Sequence, residues 1–379
     1  MRFILLLVFI GAIFSCSSKP EGEKKETAFT DRELGQLLII GFIGTELTPE
    51  NDIVKTIKEL NIGGFILFDY DIESESFGRN IISDDQLLKL SSSLVAYSSN
   101  PPFIAIDQEG GQISRLKENI GFPKTVSAEY LGDVDNEDST RFYARNIAQE
   151  FMVVGVNTNF APVIDVNKNL DNPIISKDKR SYSSDPDKVA EHAGYVIDEF
   201  DKEGILTVLK HFPGHGSSGV DTHLGIPDVT NSWSSEELIP YKTLFSEKNI
   251  NAVKTAHIYN AKLDPDWPAT LSTKTINGLL RDSLGFDGVV FSGDMQMEAI
   301  RVEYGLETAI EQSLNAGVDV LIFENNNVYE DDIAQKSINI IQKLIAEGKI
   351  SEETIQAALD RIAKLKKDVI EDLCTCLNF

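Results

Sequence analysis

The chain has 379 residues, of which 60 are acidic and 35 are Lys or Arg, for a formal net charge of −25. That charge repels the phosphates of nucleic acid and the anionic face of a membrane, so neither is expected as a partner of the folded part. Of the three cysteines, Cys374 and Cys376 stand one residue apart and would close a strained ring if paired, which leaves them an incidental role in a C-terminal tail at 371–379.

A single cation, Arg2, precedes an apolar stretch from Phe3 to Phe14. At about a dozen residues this is too short for a permanent span and has the length of a signal-peptide core. It ends Ile13-Phe14-Ser15-Cys16, which has the form of a lipoprotein cleavage box. Residues 1–15 are therefore expected to be removed and Cys16 to carry the lipid; ordinary secretion or an uncleaved anchor would export the chain as well. Residues 16–29 are polar and poor in apolar side chains, as a flexible tether should be. The expected location is an exported, membrane-anchored one, in the periplasm or at the cell surface, attached through Cys16.

Beyond the tether, residues 30–370 are long enough for one large core. Short apolar runs recur at Leu37–Phe42, Gly64–Phe68, Phe103–Ile106, Val156–Phe160, Leu206–His211, Ala252–His257, Val289–Ser292 and Val318–Phe323. The stretches between them, among them Ser139–Val153, Asp187–Glu203, Ser235–Lys248, Ser272–Leu284 and Glu307–Ala316, carry helical spacing. Alternation of strand and helix implies parallel pairing, and eight such units predict a single (β/α)8 barrel of the TIM type, with an open doubly wound sheet as the alternative. A barrel opens all its strand ends onto one rim. Asp107, Asp165, Lys210 with His211, His257 and Asp294 close or follow strands three to seven, so they are expected to meet there. No internal repeat, low-complexity tract or glycine-rich phosphate loop is present.

The most informative segment is Lys210-His211-Phe212-Pro213-Gly214-His215-Gly216, followed by Asp221-Thr222-His223; it sets three of the chain's five histidines within thirteen positions. Glycine and proline between them make a loop that aims polar groups, and Asp221 beside His223 is the natural acid/base candidate. A metal held by His211, His215 and His223 is the rival, but no His-x-His or His-Glu-x-x-His pair accompanies them, and no metal is expected. His192 reads as a packing or surface residue. Asp294 is one carboxylate at the end of a run of small and apolar residues. It is costly to desolvate unless used, and so is a candidate nucleophile or electrostatic stabiliser, with capping of the next helix as the plain reading. Asp107, in Ala-Ile-Asp-Gln-Glu-Gly-Gly-Gln-Ile-Ser-Arg, has the company of carboxylate, amide and arginine that suits sugar hydroxyls, and the Gly110–Gly111 turn would let backbone approach a ligand. Arg180 offers a cation to the same rim.

These motifs, together with Asn-Phe-Ala-Pro-Val-Ile-Asp-Val-Asn, Pro-Ala-Thr-Leu-Ser and Ser-Gly-Asp-Met-Gln-Met, resemble family 3 of the glycoside hydrolases, and in particular its single-barrel β-N-acetylhexosaminidases, from about residue 33 to about residue 325. The resemblance implies a retaining mechanism without cofactor. Asp294 would attack the anomeric carbon, while His223, oriented by Asp221, would protonate the leaving oxygen and later activate water. Asp107, Lys210, His211 and Arg180 would hold the N-acetylglucosamine hydroxyls, His257 would line the pocket floor and His215 would brace the loop. The sequence departs from the family pattern at Gly293 and Met295, where a polar or acidic neighbour of Asp294 is commoner, and at Gln112, where Arg is common. The expected activity is exo-removal of terminal N-acetylglucosamine from peptidoglycan fragments or chitin-type oligosaccharides by a monomer. Phosphorolysis on the same scaffold and an inactive sugar-binding lipoprotein are the alternatives.

Overall fold

The computed structural model describes residues 28–220 and 225–370. Asp221 and His223 lie outside the described residues, as do the expected signal segment, Cys16 and most of the tether, and Cys374 with Cys376. Within the described residues, the eight apolar runs become parallel strands β1 (Leu38–Ile40), β2 (Gly64–Ile66), β3 (Phe103–Ile106), β4 (Thr158–Asn159), β5 (Leu206–Thr207 continued by Leu209–Phe212), β6 (Ala252–Thr255), β7 (Val289–Asp294) and β8 (Val320–Phe323). Neighbours in sequence are neighbours in space, and β8 returns to β1 through Leu38–Leu321, Ile39–Ile322 and Ile40–Phe323.

Ring closure depends on β5. Its first segment pairs with β4 through Leu206 and Thr207, and its second pairs with β6 through Leu209, Lys210 and Phe212, with only Val208 between them. The sheet is thus a (β/α)8 barrel rather than an open one. Strand β4 is shorter than its apolar run predicts because the side chains of Asn157 and Asn159 themselves accept from the backbone of the preceding strand and its loop, Asn157 from Ile104 N at 2.7 Å and Asn159 from Gln108 N at 3.1 Å.

Helices α1 (Asp52–Leu60), α2 (Asp84–Tyr97), α3 (Glu137–Val154), α4 (Pro186–Lys202), α5 (Ile239–Glu247), α6 (Lys274–Ser283) and α7 (Gly305–Ala316) fill the crossovers, and α8 (Ile333–Ala346) and α9 (Glu352–Leu365) follow β8. Their starts are locally encoded. Ser83, Asn136 and Asp185 each cap a helix by accepting a backbone N–H, and Pro186 opens α4 where its missing donor costs nothing. None of the described helices is long and apolar enough to cross a membrane.

The barrel interior is closed by aromatic rings. Phe291 of β7 meets Phe103 and Phe160 edge to face at 5.5 and 5.7 Å, and all three are fully buried. Interior packing of this kind resists truncation because surrounding strands cannot collapse into the void. Phe291→Ala is expected to lower unfolding stability by about 3–5 kcal/mol, read as a fall in the urea midpoint.

Candidate active site

At the carboxyl ends of the strands, a cavity of about 270 Å³ is bounded by Asp107, Arg180, Lys210, His211, His257 and Asp294. All six were expected at the rim from sequence. The chain reaches this arrangement through one cationic residue in particular. Lys210, in β5, is 1% exposed, and its Nζ donates to Asp107 Oδ1 and lies against Glu109 Oε1, both at 2.6 Å. Arg180 grips Glu109 with two further bonds of 2.7 Å, Nε to Oε2 and Nη2 to Oε1. Burial alone would raise both carboxyls. Lys210, Lys254 and Arg115 outweigh it at Asp107 and hold that group far below its ordinary range, and Arg180 and Lys210 bring Glu109 down to about 2.

The loop after β3 that carries these acids is pinned by Gln108. Its Oε1 accepts from the backbone N–H groups of Arg115 and Leu116 at 2.7 and 3.0 Å, which turns Arg115 back toward Asp107. The Gly110–Gly111 turn is held by close neighbours. It packs on neighbouring backbone, where a Cβ on Gly110 would fall 2.3 Å from Val126 O and one on Gly111 2.9 Å from Ser127 Cα.

His211 is fixed by Asp165, which is wholly buried. Nδ1–H donates to Asp165 Oδ2 at 2.7 Å, and Asp165 also accepts the backbone N–H groups of His211 and His215 at 3.3 and 2.7 Å. Burial, then Arg180, Lys210 and His215, push the imidazole well below its ordinary value, so it is neutral at physiological pH with Nε2 as an acceptor, 3.4 Å from Arg180 Nη2. The His211 and His215 rings meet edge to face at 5.8 Å, and no described group of three or more His, Cys, Asp or Glu side chains stands ready to hold a metal. His192 is buried against Tyr182, between Thr140 and Asp135, and is a packing residue.

The base of the loop leading toward residues 221–224 is anchored closely. Asn172 donates to His215 O at 2.8 Å, Gly216 N donates to the buried Glu237 at 2.9 Å, and Asn169 donates to Ser218 O at 2.9 Å. Gly216 is required by contact, since a Cβ there would fall 1.7 Å from Val166 O. Burial, assisted by Asp165 and opposed by hydrogen bonds from the loop, raises Glu237 to about 7.

Asp294 ends β7 on the cavity floor. Its Oδ1 accepts from Gln296 N and Glu324 N, each at 3.1 Å, and the short helix that follows starts at Glu298 with Met297 at its cap, so capping is not its role. Burial and the neighbouring Glu324 raise the carboxyl to about 7, against the two N–H groups and Lys254. His257 lines the same cavity, but its Nε2 donates to the Asp294 carbonyl at 2.9 Å and its Nδ1 meets Thr270 Oγ1 at 2.9 Å, so it fixes the nucleophile candidate's backbone. The departure at Gly293 fits this contact, because a Cβ there would fall 2.6 Å from His257 Nε2.

The same barrel and motif order recur in known proteins. The N-terminal domain of glycosyl hydrolase family 3 matches residues 29–365. The chain belongs to glycosyl hydrolase family 3. It is 33% identical over 294 residues to a beta-hexosaminidase of Tolumonas auensis, covering 76% of this chain and 83% of that one. It is 30% identical over 369 residues to beta-hexosaminidase A of Pseudoalteromonas piscicida, covering 89% of this chain. A family 3 beta-N-acetylglucosaminidase from Paenibacillus sp. str. FPU-7 superposes over 91% of this chain with a TM-score of 0.82 at 32% identity. The chain spans 61% of the length of the Pseudoalteromonas protein and 64% of the Paenibacillus one.

Two charged groups of the cavity went unread in the sequence, Lys254 and Glu324, while Glu109 and Arg115 were read only as the company of Asp107. The signals were present, since Lys254 interrupts a buried strand and Glu324 directly follows β8, where barrel enzymes carry chemistry. A buried carboxyl raised to about 7 is protonated more readily folded than unfolded, so its contribution to stability is full below about pH 4 and lost as pH rises through about 7. Asp294→Asn is therefore expected to gain thermal stability relative to the parent between pH 5 and pH 8, measured as the difference in Tm across that range; a constant difference contradicts it.

Proposed function

We propose that the protein is an exo-acting, retaining β-N-acetylhexosaminidase that removes terminal β-linked N-acetylglucosamine. The observation that carries this reading is one buried carboxylate held outside the Lys210 ion pairs, Asp294, lining with Asp107, Arg180, Lys210 and His211 a cavity of about 270 Å³, below the range usual for drug-sized ligands and suited to one ring. The names of the Tolumonas and Paenibacillus relatives support the substrate class.

In this reading Lys210, Asp107, Arg180 and neutral His211 hold the hydroxyls. A carboxylate already paired with Lys210 can accept from a hydroxyl, and His211 Nε2 can do the same without carrying charge into the site. Asp294 forms a bond to the anomeric carbon as the glycosidic C–O bond breaks and His223 gives its proton to the departing oxygen. Water, deprotonated by His223, then attacks the same carbon and releases Asp294. Asp221 keeps the His223 imidazole oriented and basic enough for the second step. Peptidoglycan fragments and chitin-type oligosaccharides are the expected substrates, and a lipid on Cys16 would hold the enzyme at the membrane, on the side to which it is exported.

Release of p-nitrophenol from its N-acetyl-β-glucosaminide tests the reading, with EDTA present and with and without phosphate. Turnover is expected to survive EDTA and to fall by at least about 10³-fold in Asp294→Ala and 10²-fold in His223→Ala. Full activity in Asp294→Ala overturns the assignment, and strict dependence on phosphate converts the reaction to phosphorolysis.

A further inference from the structure

The proposed chemistry gives no part at Asp294 to the charge pair beside it, Lys254 and Glu324, although Lys254 also helps to hold Asp107 ionised. Lys254, the third residue of β6, is 6% exposed, an unusual station for a lysine inside a strand. Its ammonium sits 4.7 Å from the centroid of the Phe160 ring and 3.6 Å from Glu324 Oε1, beyond hydrogen-bonding reach. Glu324 follows β8, and its own N–H donates to Asp294 Oδ1 at 3.1 Å. In the ring β7 lies between β6 and β8, so Lys254 and Glu324 bring opposite charges to Asp294 from its two flanking strands.

We propose that Lys254 and Glu324 are positioning residues that act as a charge clamp on Asp294, setting the fraction of the nucleophile that is ionised at working pH. This rests on Asp294 being the nucleophile. Among the described residues, the other charged or titratable groups facing the cavity are Asp107 and Glu109 from the loop after β3, Arg115, Asp178 and Arg180 from loops, Lys210, His211 and His215 from β5 and its loop, and His257 after β6. Most of these are already committed. Lys210 is bound to both acids of the β3 loop, Arg180 is bound to Glu109, and His211 is bound to Asp165. The clamp pair differs in being loosely joined, so each member keeps an influence on Asp294. Lys254 favours the carboxylate and Glu324 opposes it. When Asp294 becomes a neutral glycosyl ester, the 3.6 Å gap leaves room for Lys254 and Glu324 to close on each other and balance the lost charge.

The test is the pH dependence of kcat/KM on p-nitrophenyl N-acetyl-β-glucosaminide for the full chain and for Lys254→Met, Lys254→Arg, Glu324→Gln and the Lys254→Met/Glu324→Gln double variant. The acidic limb should rise by roughly one pH unit in Lys254→Met and fall by a similar amount in Glu324→Gln. It should stay near the parent in Lys254→Arg and return toward it in the double variant. A purely structural lysine would change Tm and leave the limb in place. An unmoved limb in both single variants, with Asp294→Ala inactive, overturns the clamp and leaves the nucleophile standing. Parental turnover in Asp294→Ala removes the nucleophile and the clamp together. If Lys254→Met does not fold, Glu324→Gln decides alone, since its partly exposed side chain can change without opening the core.

Discussion

Lys210 carries its side-chain nitrogen to a place that almost no water reaches, and the site is organised around pairing it. An ammonium in low dielectric needs carboxylates at contact distance, and Asp107 and Glu109 supply them at 2.6 Å. The second of these acids then needs more than one cation, which Arg180 provides from a loop 71 residues further on. Arg180 in turn lies against His211 and, with Lys210, helps keep that imidazole neutral, so its Nε2 remains an acceptor and faces the Arg180 guanidinium. A single buried lysine thereby gathers one strand and two loops into one fixed collar. Asp294 stands apart from this collar, its Oδ1 held by two backbone N–H groups, and burial beside Glu324 leaves it basic in spite of them.

Burial has opposite outcomes at the two carboxylates that matter most. Asp107 and Asp294 are both enclosed, and desolvation pushes both upward. At Asp107 three cations reverse the effect; at Asp294 the neighbouring Glu324 reinforces it. Two acids on one rim are thus separated in basicity by their company alone, the arrangement enzymes use to assign binding and reacting roles to identical side chains.

Much of this was legible from residue order. The eight strands are encoded by local apolar runs and the helix starts by Ser83, Asn136 and Asp185, so period and capping together give the barrel. The rim residues were readable because a barrel gathers strand ends by topology. What could not be read was pairing across the ring. Nothing local says that Glu109 will meet Arg180, that His257 will spend a nitrogen on the Asp294 carbonyl, or that Lys254 and Glu324 will flank the same carboxylate, since these depend on which strands become neighbours. The close neighbour of the Gly110–Gly111 turn was likewise unreadable. A glycine pair announces close approach but not by what, and here the close neighbour is the Val126–Ser127 backbone.

The break in β5 has a mechanical side. Across Val208 the strand switches from two residue pairs with β4 to three with β6, supplemented by one bridge between Val163 and Lys210. Lys210, the residue on which the collar depends, is thereby registered against both neighbouring courses, with Val163 on one side and Lys254 on the other. The scaffold's seam and its functional centre therefore share a strand. A change that displaces the lysine therefore also disturbs the joint at which the ring is closed.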